Sequence, residues 1–306
     1  MSKEILFTDK AKRMFSGLFP DKEKHIESAA FSQNWDEDTC LALKTEIGAN
    51  PQWVDVDQSI TKTYNRLVSL LGLPDREGVN LTNLKNRIIF TDPETIMCFM
   101  YMFMQPGENS DVYWKSPVTR VIDTRGLTKA GEIIATYAVT YNKLGIILIP
   151  NTKSFLHYSE KDEQAYVKEQ SVKDEDYPEL YFKRILAHEL THLLYPKSMA
   201  PHGPLLEPIA DYIALLAFPE IQGIMVQLAW AKASVENYIK RLGYESVREL
   251  TQPILKDKKS KEKLFREAND VCQKFFPKIN YQTLSISEEI LNKNNVSKYA
   301  PIPETE

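Results

Sequence analysis

At 306 residues the chain can bury a large core, as one big domain or a few packed units. Its 43% hydrophobic, 26% charged and 10% aromatic content is that of a folded globular protein and excludes fibrous, collagenous and broadly disordered classes. A net charge of -4 provides no basic field for phosphate backbones, so no nucleic acid partner is expected.

The N-terminal stretch MSKEILFTDKAKRMFSGLFP is charged and amphipathic and lacks the apolar run and small-residue cleavage site of a secretory signal. The segment DQSITKTYNRLVSLLGLP spaces Ile60, Tyr64, Leu67, Leu70 and Leu71 as on a helix, with Asp57 as its N-cap and Gly72 and Pro74 as its stop. A second helix is expected in TDPETIMCFMYMFMQPG, with Pro93 at its first turn. Its apolar run, 95–104, is about half the length needed to span a bilayer, so it reads as a buried helix and no transmembrane segment is expected. The β-branched and aromatic EIIATYAVTYNKLGIILIPNT (132–152), broken at NKLG, is the best hairpin in the chain.

A helix is then expected from Asp176 and Pro178 to Pro196, followed by a loop, PKSMAPHGP, and a second helix, LLEPIADYIALLAF, ended by Pro219. Further helices are expected over 221–243, 259–275 and 285–293, and the end of the chain reads as a loose tail. The lysine run KDKKSKEK (256–263) contains acids and lacks interleaved aromatics, so it reads as a solvated helix end or loop. Cys40, Cys98 and Cys272 lie far apart, which argues against a disulfide framework and a thiolate zinc site. A reduced compartment fits: the cytoplasm, or export without a Sec signal, as for a delivered effector. Three regions are expected: a mainly helical one over 1–130, a core over 131–219 and a helical one over 220–306.

The chemistry concentrates in RILAHELTHLLYP (184–196). Residues four apart on a helix lie nearly one above the other, so the imidazoles of His188 and His192 can converge on one cation. Glu189, turned about 100° from His188, can reach a metal-bound water. Hydrolytic zinc sites need two neutral imidazoles, a third protein ligand, an open position and a carboxylate that takes a proton. The third ligand follows from levels along the two helices. His192 lies about 6 Å below the end of its helix, and on an antiparallel return from Pro204 or Leu205, Glu207 lies about 3–5 Å below the same end. One turn on, Asp211 falls level with His188 and can accept its free N–H. His202, in the loop, is a rival: a third histidine ligand, a substrate or oxyanion contact, or a plain surface residue.

His188-Glu189-x-x-His192 followed by Glu207-x-x-Ala210-Asp211 resembles the gluzincin metallopeptidases of the thermolysin-like clan. The resemblance spans roughly 132–218, and its specific part is 188–211. It implies Zn2+ as cofactor, His188, His192 and Glu207 as ligands, Glu189 as general base and Asp211 as the partner of a ligand. It also implies a peptide or protein substrate, aligned by the edge of a sheet above the active-site helix. The expected fold class is therefore α+β, mostly helical, with a zincin-like core and a small mixed sheet. The 14 residues between His192 and Glu207 are fewer than is usual in thermolysin-like enzymes, and Tyr195 and Ser198 stand where the metzincin pattern requires glycine and histidine.

The expected reaction is hydrolysis of a peptide bond by a metal-activated water, with Glu189 passing the proton to the leaving amine. His202, Tyr212, Tyr238 and Tyr244 are candidate oxyanion donors. The alternatives are a non-catalytic binding or regulatory protein on a zincin scaffold, and a zinc hydrolase of a non-peptide substrate.

Overall fold

Side-chain caps start the first helices. Asp36 accepts from Thr39 N at 2.8 Å and opens α1 (Glu37–Ile47), while Asn80 and Asn83 form a reciprocal capping box that opens α3 (Leu81–Arg87). Between them runs α2 (Val56–Leu71). The computed structural model describes residues 36–92, 95–96, 139–141, 145–151, 170, 172–173, 175–252 and 258–275. Over these the chain is mostly helical, with one three-stranded mixed sheet. Of the expected helix at 91–107, Thr91 instead ends β1, and only Thr95–Ile96 are described as helical, with Asp92 accepting from Thr95 N at 2.9 Å. Cys98, the helix at 285–293 and the tail lie outside the described residues.

The chain divides into two compact units, one formed by 1–57 and 80–155, the other by 58–79 and 156–306. These boundaries differ from the three consecutive regions expected, because residues 58–79 join the second unit through specific bonds. Arg76 Nε donates to Leu193 O at 2.5 Å, and the Tyr195 hydroxyl donates to Gly72 O at 2.7 Å.

In the first unit the sheet order is β1 (Ile88–Thr91), β3 (Ile146–Pro150), β2 (Val139–Tyr141). β2 and β3 pair antiparallel, with Val139 opposite Leu148 and Tyr141 opposite Ile146, as the hairpin pattern implies. β1 adds on the other side of β3 in parallel, and both strands are buried along their whole length, as continuous apolar strands of parallel pairing are. Arg87 donates to Gly145 O at 3.1 Å, and Thr91 Oγ1 donates to Ile47 O at 2.7 Å, tying α3 and α1 to the sheet.

The second unit is all helical among the described residues. α2 buries Ile60, Thr63, Leu67 and Leu71. Asp57 is not its N-cap: the helix starts one residue earlier, and Asp57 pairs with Lys85 at 2.8 Å. α4 (Tyr177–Leu194) packs on α6 (Leu206–Ala217), α6 on α7 (Val226–Leu242), and α7 on α8 (Lys258–Phe275). α6 is apolar on nearly every face, as a helix enclosed by others is. The expected loop after Pro196 is a helical turn, α5 (Pro196–Met199), running into a 3-10 segment (Ala200–Leu205). Pro196 starts α5, and Asp75 accepts from Ser198 N at 2.5 Å and from its hydroxyl, which caps the turn from far away in sequence. Lys261, Glu262 and Lys263 at the start of α8 are exposed, as expected of a solvated helix end. No helix among the described residues is long and apolar enough to cross a membrane.

Candidate metal centre

α4 carries Arg184, His188 and His192 at successive i, i+4 positions, one stripe that faces α6. His188 and His192 are buried, with side chains 7% and 9% exposed, whereas the Glu207 side chain on α6 is 72% exposed. The imidazoles meet edge to face, their ring centres 4.8 Å apart, and their Nε2 atoms are 3.2 Å apart. Glu207 sits over both: Oε2 lies 2.9 Å from Nε2 of His188, and Oε1 lies 3.4 Å from Nε2 of His192. The short helical linker thus brings the second residue of α6 to the level of His192, where the spacing placed it.

These distances can be compared with what a metal needs. Ligand arms of about 2.0–2.1 Å at tetrahedral angles put neighbouring donor atoms about 3.3 Å apart. The Nε2–Nε2 and Nε2–Oε1 separations of 3.2 and 3.4 Å are such edges. The 2.9 Å contact is shorter because His188 and Glu207 share a hydrogen bond. One ligand atom from each of His188, His192 and Glu207 lies within 4.8 Å of the others, so the three can hold a metal ion.

Behind His188, its Nδ1 lies 2.7 Å from Oδ1 of Asp211, one turn into α6 from Glu207. The same oxygen accepts from Arg184, at 2.9 Å from Nε and 2.6 Å from a terminal nitrogen. Arg184 was not read from the sequence, although its position four residues before His188 places it on the ligand stripe.

The electrostatics follow from burial and these contacts. Burial alone lowers the pKa of His188, but Asp211 and Glu207 outweigh it and push the metal-free imidazole up to about 10. For Asp211, burial is opposed by Arg184 first and His188 next, which hold its carboxyl below the usual range. Crowding against protein atoms pushes Glu207 up, and hydrogen bonds from both histidines outweigh that and hold it well below an ordinary glutamate.

Searches against protein-family models, curated proteins and solved structures found no match.

Glu189 is partly exposed on α4, and its charge is felt at Arg184. The remaining candidates are not gathered with the cluster. His202 is 1% exposed, with Nε2 2.8 Å from Leu250 O and Nδ1 3.0 Å from the Tyr238 hydroxyl. Both ring nitrogens are engaged, so it is neither a surface residue nor a third histidine of the metal group. Tyr238 is fully buried and also reaches Leu264 O at 3.1 Å. The Tyr212 hydroxyl points to Glu236 on α7 at 3.3 Å. Tyr244 follows the left-handed Gly243 that ends α7, and its N–H closes the cap on Ile239 O.

Proposed function

We propose that the protein is a zinc-dependent metallopeptidase. The observation that carries this reading is the convergence of two buried imidazole Nε2 atoms and one solvent-facing carboxylate at the spacing of tetrahedral edges. Two histidines and a carboxylate with an open side form the donor set of hydrolytic zinc rather than of a closed structural site. When bound, zinc supplies Lewis acidity and an acidified water.

The chain's own residues supply the rest. His188 and His192 project from one helix that is buried on both sides of the stripe, so their rings are held in place by packing. Asp211 accepts a hydrogen bond from Nδ1–H of His188 and leaves Nε2 turned to the centre. Glu207 closes the third position from the solvent side. Glu189, next to His188 and partly exposed, takes the proton from the attacking water and passes it to the leaving amine. A peptide substrate approaches from the open, solvent-facing side beside Glu207. Cys40 and Cys272 are buried thiols rather than disulfide halves, which suits a reduced compartment such as the cytoplasm.

The test is metal content by mass spectrometry together with cleavage of a peptide library. One zinc per chain, and cleavage that stops on chelation and returns with zinc, are expected. Stoichiometric zinc without cleavage of any peptide would leave a binding protein or a hydrolase of other substrates, and wild-type protein without stoichiometric metal would sink every zinc reading.

A further inference from the structure

The oxygen behind His188 is shared by two residues. Asp211 Oδ1 receives Nδ1 of His188 at 2.7 Å, and Nε and a terminal nitrogen of Arg184 at 2.9 and 2.6 Å. We propose that Arg184 is a positioning residue of the metal centre, acting through Asp211 to aim the imidazole of His188; this rests on the metal reading above.

Asp211 and Arg184 have side chains 10% and 17% exposed, between helices that also hold the two buried imidazoles. A carboxylate there needs a fixed countercharge. An imidazole bound to a metal is neutral, so among the groups bonded to Asp211 the cation is Arg184. Its fork approaches one oxygen with two N–H groups, which restrains that oxygen where it receives His188. The oxygen that receives His188 is therefore held from α4 as well as α6, and the ring it receives cannot swing away from Nε2 of His192. A mere strut between the two helices would stabilise the fold equally with and without metal, whereas a positioning residue changes the affinity for the metal itself.

The experiment titrates the purified full chain with cobalt(II), following its visible absorption, with competition by a chelator. Arg184→Gln is expected to bind about 10–100-fold more weakly than wild type, with an unchanged far-UV circular dichroism spectrum. Arg184→Lys, which keeps the charge and loses the fork, is expected to recover part of that loss, and it carries the test if Arg184→Gln does not fold. Wild-type binding with either folded variant within twofold of it overturns the role of Arg184 and leaves the metal centre standing. A wild-type protein that binds no cobalt or zinc overturns both.

Discussion

Nδ1 of His188 lies 2.7 Å from Oδ1 of Asp211, while Nε2 of the same ring faces Glu207 at 2.9 Å on the other side. The imidazole is thus gripped by two carboxylates one turn apart on α6, one deep and one open. Asp211→Ala removes the deep grip and leaves Arg184 largely buried without its partner. Loss of about 3 kcal/mol of stability, read by urea unfolding, and a fall in zinc affinity of at least about tenfold are expected together.

Glu207→Ala separates the two effects. With 72% of its side chain exposed, Glu207 adds little to burial, so unfolding should change by about 1 kcal/mol or less. Zinc binding, measured by calorimetry, should be abolished or weakened by orders of magnitude. A variant that keeps wild-type affinity would remove Glu207 from the ligand set.

His202 makes a pH prediction away from the metal. Burial pushes its pKa down to about 4 from 6.5, partly offset by the bond to Leu250 O, so the folded state prefers the neutral ring. Unfolded chains take up a proton below about pH 6.5 that the folded chain resists until near pH 4. Stability should therefore fall as pH drops through that window, by about 3 kcal/mol in all. His188 shifts upward, so only its unfolded form still gains a proton near pH 6.5; its contribution has the opposite sign and fades below about pH 5.5. Urea unfolding of metal-free protein between pH 6.5 and 4.5 checks this: His202→Gln should lose about one proton of the pH dependence.

Gly203 adopts φ 46 and ψ -111, a region open in practice to glycine alone, in the linker before Glu207. A Cβ there would also lie 2.5 Å from the Phe265 ring of α8. Gly203→Ala should lose about 1–3 kcal/mol by thermal or urea unfolding. Adding Phe265→Ala should recover the contact part and leave the backbone strain.

Much of the ligand geometry was legible because prolines punctuate it. Pro178 and Pro196 bracket α4, Pro219 follows α6, and the level of Glu207 against His192 follows from helix rise alone. The hairpin was legible from its β-branched run. β1 was missed because Ile88–Thr91 is four residues long and its partner strand begins 58 residues after its first residue, so no local pattern marks the pairing. The linker was read as a loop because its cap, Asp75, comes from 123 residues away. His202 looked like a site residue by its place in sequence, yet its partners Tyr238 and Leu250 come from later elements and hold it in the core. Arg184 shared the stripe of the histidines, but only the packing of α6 against α4 shows which carboxylate it meets.

The central claim is tested most directly by zinc content and peptide hydrolysis in wild type and Glu189→Gln, side by side. One zinc per chain in both, with hydrolysis in wild type and its loss by at least about a hundredfold in the variant, is the expected result. Equal hydrolysis by the two proteins, or no zinc in wild type, would contradict the account.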